Sequence, residues 1–197
     1  MAIGDPERPV VFTGENPGIT LYRPGTDQMV ASASYWLSSS SSDGEGSALM
    51  IWIDPEAPGL SDFPSPSIYA DNAALARMLN RDLNQHFPAF RDRGFTDLEP
   101  QQARFSQQAN GKKQHRIVCW TATSTIEIIW TDVADAFQKM NVSTLGGRDW
   151  RVGNVICPCA GGSITVDGTL VAGEIRRSDA LNSSSAFLAF AESWVPL

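Results

Sequence analysis

His115, Arg116, Glu127 and Asp132 are the residues whose types and spacing come closest to an acid–base site. They lie in two strand-like runs, 114–121 and 126–133, joined by a short polar stretch. With a turn at Thr123-Ser124, Trp120 stands opposite Glu127, Ile117 opposite Trp130 and His115 opposite Asp132. Side chains alternate along a strand. One face then carries His115, Ile117, Cys119, Thr121, Ile126, Ile128, Trp130 and Asp132. The other carries Arg116, Val118, Trp120, Glu127, Ile129 and Thr131. The first is the more apolar and is assigned inward. A carboxylate facing an imidazole fixes its tautomer and raises its basicity, as a general base requires. The bland alternative is a cross-strand ion pair at a sheet rim, worth little. Glu127 with Arg116 is the competing pair, because a carboxylate beside Trp120 in a cavity wall would have a raised pKa. Register decides between them, since a slip of one residue exchanges the faces.

The chain has six tryptophans, at positions 36, 52, 120, 130, 150 and 194. Tryptophan offers a large apolar area with one N–H donor and lines pockets for planar ligands, although it fills cores more often. Tyr35, Trp120, Trp130 and Cys119 are the candidate ligand contacts. Glu192 near Trp194, and Glu174, are further carboxylates in apolar strands that could face the interior.

Several chemistries are disfavoured. The sequence has no Gly-x-Gly-x-x-Gly, no Walker loop, no Gly-x-Ser-x-Gly elbow and no His-Glu-x-x-His. It has two histidines, His86 and His115, too few for a three-His metal site. His115 and Cys119, four apart on one strand, are separated by about 13 Å and cannot share an ion. Cys157-Pro-Cys159 is not Cys-x-x-Cys, and a disulfide across one residue would be strained. The two thiols read as small buried hydrophobes bent by Pro158, with a reactive thiol as the weaker alternative. No metal and no cofactor are expected.

The elements that would position these residues belong to one domain, 1–197, whose 42% apolar content suffices for a core. The net charge of −7 argues against nucleic acid and anionic membranes as partners. The one basic run, Lys112, Lys113, His115 and Arg116, follows an Asn110-Gly111 turn and reads as a solvated hairpin end. No window approaches the roughly 18 apolar residues of a membrane helix. The first nine residues show no signal-peptide core, and three cysteines suit reduced thiols, so a cytoplasmic location is expected.

Residues 1–28 read as a loop-rich segment with two short edge strands. Residues 29–38 alternate cleanly and read as a half-buried strand, and a Ser-rich tip leads into a strand at 48–54. Leu75, Leu79, Leu83 and Phe87 form an apolar stripe on an amphipathic helix over about 71–87, with Asp71 as N-cap and Pro88 as stop. Strands follow at 104–109, 114–121, 126–133, 155–160, 163–166, 169–176 and 186–195, with turns at Gly161-Gly162 and Asp167-Gly168. The expected fold is mainly β: a single antiparallel barrel or strongly rolled sheet with one helix.

That outline resembles the calycin-type barrels, such as lipocalins and fatty-acid-binding proteins. The likeness is one of outline alone. The first clear strand carries Ser34-Tyr-Trp36 where lipocalins show Gly-x-Trp, and no site residue is carried over.

Three functions fit. The first is a barrel that binds a small apolar or aromatic molecule without metal or nucleotide. The second is a cofactor-independent isomerase, cyclase, hydratase or lyase using His115, Asp132, Glu127 and Arg116. The third is a non-catalytic interaction module, for instance a homodimer formed through an apolar barrel exterior.

Overall fold

The computed structural model describes residues 10–178 and 183–197. The first nine residues of the loop-rich N-terminal segment lie outside that range. Fifteen strands, one α-helix and one 3-10 turn make up the described chain. The first five strands are β1 (Phe12–Glu15), β2 (Gly18–Tyr22), β3 (Met29–Ser41), β4 (Gly46–Ile53) and β5 (Ser67–Ala70). Helix α1 (Ala73–Asp82) follows, then β6 (Gln101–Gln102), β7 (Arg104–Asn110), β8 (Gln114–Trp120), β9 (Thr125–Val133) and β10 (Phe137–Leu145). The last are β11 (Arg148–Val166), β12 (Thr169–Leu170), β13 (Arg177–Ser178), β14 (Ser183–Ser184) and β15 (Ala186–Pro196).

Apart from the two-stranded β13–β14 ladder, these strands form one sheet with the main path β6-β5-β4-β3-β1-β15-β11-β9-β8-β7. Two features roll it into a barrel. β1 pairs antiparallel with both β3 and β15, and β2 pairs with the same two strands, closing a ring of four. At the other end, residues 101–103 bond to β5 while 104–110 pair with β8, so one continuous strand joins the two ends of the path. The expected mainly β, antiparallel barrel with one helix is the fold observed.

β1 and β2 are not edge strands. They are two halves of a stave enclosed by β3 and β15, and Pro17 sits at the break between them, where no ladder N–H is needed. A second proline is used similarly. β11 pairs with β10 up to Ile156 and with β9 from Cys159 onward, and Pro158 falls at the change of partner. Expected turns at Gly161-Gly162 are absent. β11 runs straight through them, and at Gly162 the missing side chain lets the strand lie close to the Ile129 carbonyl.

The alternation of β3 divides two cores. Ala31, Ala33 and Tyr35 face a cluster with Leu49, Ile51, Ile117, Ile128 and Trp130 that fills the barrel. Trp36 faces a second cluster outside the barrel wall, with Met50, Ile68, Trp150 and Trp194, and α1 covers it through Leu75, Leu79 and Leu83. Helix α1 is shorter than its apolar stripe. Asn72, not Asp71, caps it, accepting from the N–H groups of Ala74 (3.1 Å) and Leu75 (3.2 Å). Asp71 instead accepts from the Ser47 N–H at 2.7 Å. The helix ends at Leu83, whose ψ of −68° follows a non-helical φ of −128°, and a 3-10 turn carries the chain to Phe87.

Candidate functional site

The β8–β9 hairpin is displaced by two residues from the expected register. Trp120 pairs with Thr125, Ile117 with Ile128 and His115 with Trp130. The cause is local. The Thr121 Oγ1 accepts from the N–H of Ser124 (2.9 Å) and of Thr123 (3.2 Å), which moves the turn to Ala122-Thr123. An even displacement keeps each residue on its face, so His115, Ile117, Cys119, Ile126, Ile128 and Trp130 do point inward.

The displacement dissolves the His115–Asp132 pair. Asp132 is exposed at the strand end with φ of 53°, and its carboxylate has no hydrogen bond among the described residues. His115 is buried instead, with ring centroids 5.8 Å from Trp130 and 6.2 Å from Phe190. The Gln107 amide lies 3.2 Å from its Nε2 and donates to Glu15 Oε2 at 2.8 Å. The amide nitrogen must face both, since its oxygen would be repelled by the Glu15 carboxylate. The His115 Nε2 lone pair is therefore occupied. Burial lowers the imidazole pKa, and the Glu15 carboxylate opposes that only in part. The lone pair a general base would use is already accepting a hydrogen bond.

Arg116 and Glu127 do form an ion pair, on the outer wall, with side chains 37% and 27% exposed. The remaining candidates divide. Tyr35, Trp130 and Cys119 are in the packed interior, where Trp130 Nε1 donates to the Gly18 carbonyl at 2.9 Å. Burial pushes the Tyr35 phenol and the Cys119 thiol up to about 12. Trp120 is on the outside and 39% exposed. Cys157 and Cys159 are buried free thiols with raised pKa values, chiefly from burial. A thiol so shifted is a poor nucleophile.

Side chains lining an internal void would expose area to it, and the largest interior ones expose almost none. Concavity is found elsewhere. An open groove of about 620 Å³ runs beside the barrel end where β2 turns into β3. Its walls are Tyr22, Asp27, Gln28, Met29, Trp52, Asp54 and Arg93. The turn beneath is tied down: Arg23 N–H bonds the Gln28 carbonyl, Thr26 Oγ1 accepts from Gln28 N–H at 3.2 Å, and Gly25 N–H reaches Glu174 Oε1 at 3.1 Å. Asp54 N–H donates to the Val30 carbonyl at 2.8 Å, fixing the end of β4 against β3.

Two arginines lie on the aromatic walls. The Arg93 guanidinium sits 3.6 Å from the Trp52 ring centroid, and that of Arg176 is 4.7 Å from the Tyr22 ring. Arg176 also pairs with Asp27. Arg93 has no side-chain hydrogen bond or ion pair among the described residues. Burial lowers its pKa, and the Asp54 carboxylate nearby pulls the other way. A half-buried guanidinium stacked on an indole with free donors is poised for an acceptor group. Comparison with known proteins finds no matching family model, curated protein or solved structure.

Sequence reasoning missed this site. Trp52 was one of six tryptophans and Arg93 one charge in a polar loop, 41 positions along the chain (93 − 52). No periodicity joins a strand residue to a loop residue; only the fold brings them together. Gln107 and Glu15, which hold His115, are hidden for the same reason.

One further titrating group is enclosed. Glu192 is buried in β15 beside Trp194 of the outer core, accepting from Trp194 Nε1 at 2.6 Å and Asn16 Nδ2 at 3.4 Å. Burial pushes its carboxyl up to about 7, with the hydrogen bonds from Trp194, Asn16 and Asn154 pulling down. The strand is irregular around it: β11 and β15 slip register between Gly153 and Val155, and Ala191 has φ of 48°.

Proposed function

We propose that this protein binds a small organic molecule with an aromatic or apolar body, in the external groove rather than inside the barrel. The observation that carries this reading is Arg93, which lines the groove stacked on Trp52, its donors unpaired among the described residues. A volume of about 620 Å³ falls in the range of small-molecule sites. Tyr22, Met29 and Trp52 supply apolar contact, and Arg93 supplies the orienting polar group. Neither metal nor nucleotide is called for. The test is two-dimensional NMR with a mixture of aromatic and aliphatic carboxylates. The Trp52 indole and Arg93 side-chain N–H signals should move, and Arg93→Gln should abolish the response. Shifts confined to Leu37, Phe105 and Phe190, which pack against the barrel core, would refute the groove as the site.

A second reading, a non-catalytic dimerisation module, is favoured by β10. Its outer edge pairs with no strand among the described residues, and Met140 and Val142 are 78% and 59% exposed on one face. Antiparallel self-pairing about Asn141 would set Met140 opposite Val142 twice, a match that a two-fold interface requires. Sedimentation of wild type and of Met140→Ser/Val142→Ser would separate the cases: a monomer at high micromolar concentration excludes this reading.

A further inference from the structure

The charges of the groove restrict what it can hold. Arg93 and Asp54 both line it and carry opposite signs, yet no ion pair joins them among the described residues. Each is held elsewhere. Arg93 lies flat on Trp52, and Asp54 Oδ1 accepts the N–H of Glu56 at 3.0 Å, closing the turn that follows β4. Asp27, the other carboxylate of the groove, is already paired with Arg176. Among the described residues, one unpaired cation and one partly engaged carboxylate thus line the same open space without forming an ion pair.

A simple carboxylate entering this space meets Arg93 but also the field of Asp54. A simple amine meets Asp54 and is opposed by Arg93. A ligand carrying both charges meets two partners and leaves no like charges adjacent. Because each side chain already has its own support, Arg93 on Trp52 and Asp54 on the Glu56 N–H, little ordering cost is added when a ligand meets them. The apolar share of the wall, from Tyr22, Met29 and Trp52, then faces the rest of the ligand.

We infer that the groove takes a zwitterionic α-amino acid with an aromatic or apolar side chain, its carboxylate on Arg93, its ammonium on Asp54 and its side chain toward Met29 and the parts of Tyr22 and Trp52 that line the groove. This rests on the reading of the groove as the ligand site. Adjacent carboxylate and ammonium groups on one carbon are the smallest unit that bridges such a pair. The side chain distinguishes the ligand from a generic zwitterion: glycine would present both charges and make no contact with the apolar part of the wall.

Titration calorimetry with the full chain tests this, using L-phenylalanine, 3-phenylpropanoate, which lacks the ammonium, and phenethylamine, which lacks the carboxylate. Phenylalanine should bind about tenfold or more tighter than either analogue, roughly the loss of one charge-assisted contact. Arg93→Gln should bring phenylalanine down to the level of phenethylamine. Asp54→Asn, which keeps an acceptor for the Glu56 N–H, should bring it down to the level of 3-phenylpropanoate. If 3-phenylpropanoate binds as tightly as phenylalanine and Arg93→Gln abolishes both, the amino-acid inference is overturned and the groove reading stands. If none of the three binds at millimolar concentration and the Trp52 indole signal does not move, both are overturned.

Discussion

Trp194 Nε1–H donates to Glu192 Oε1 at 2.6 Å, two residues away on the same strand and inside the protein. That bond and the one from Asn16 hold a carboxyl group with no opposite charge against it among the described residues. Donors of this kind favour the ionised form, but burial dominates and raises the pKa from 4.5 to about 7. The folded chain therefore keeps this proton over a range where the unfolded chain has released it. Linkage gives the sign: this contribution to stability is fully present below about 4.5 and is lost as pH rises to about 7. The size is about 3 kcal/mol. Glu192→Gln cannot titrate, so its stability relative to wild type should rise by that order between pH 4.5 and 8. Urea unfolding at the two pH values measures it. A constant difference would show that Glu192 is ionised in the folded state.

His115 has the opposite sign. Burial lowers its pKa, so the folded chain holds it neutral, and its share of stability is present above pH 6.5 and lost as pH falls through the folded value. Glu15 is the one charge acting to raise that value, through space and across the Gln107 amide. Glu15→Gln should lower the His115 pKa further, read by the pH dependence of the imidazole signals in NMR. An upward movement would mean that Glu15 is not facing the ring.

The fold was more legible than the site, for physical reasons. Alternation at residues 29–38 separates the two faces of β3 correctly because side-chain period is two, but the strand is not half-buried: Ala31, Ala33 and Tyr35 fill the barrel while Trp36 is buried in the outer core. In β8 and β9 the observed register lies two residues from the expected one, and the faces are unchanged because side-chain period is two. β10 left no trace: most of its residues are exposed on both faces, so nothing selects apolar residues at alternate positions. The start of β11, which pairs with it, was missed too. The Arg93–Trp52 stack and the Glu15–Gln107–His115 chain are tertiary contacts between distant segments, and one sequence carries no record of them.

Gly161 and Gly162 illustrate how a turn signal can mark close packing instead. A Cβ on Gly161 would lie 2.3 Å from the Thr131 hydroxyl, which can rotate away. A Cβ on Gly162 would lie 2.9 Å from the Ile129 carbonyl oxygen and 2.9 Å from Ile19 Cδ1, and the carbonyl cannot move without breaking the ladder. Gly162→Ala should cost about 1–3 kcal/mol, and Gly161→Ala should be close to neutral because alanine also restricts the unfolded chain. Thermal unfolding of the two variants checks the order. Equal losses would show that β11 and β9 adjust as a unit.

Asn72 links the helix to the β3–β4 tip. Its Oδ1 accepts from the first free N–H groups of α1, and its Nδ2 donates to the carbonyls of Asp43 (2.9 Å) and Glu45 (3.0 Å). One side chain thus satisfies groups at a helix end and in a hairpin turn, which a serine or aspartate cap could not do because neither has a second donor. Asn72→Asp keeps the cap and loses the donor; Asn72→Ala loses both. The alanine variant should lose about 2 kcal/mol, at the upper end for a cap, and the aspartate variant about half of that. Hydrogen exchange separates the two roles. In Asn72→Asp the amides of α1 should keep their protection while those of the tip exchange faster. Faster exchange in α1 alone would show that the tip does not depend on Asn72.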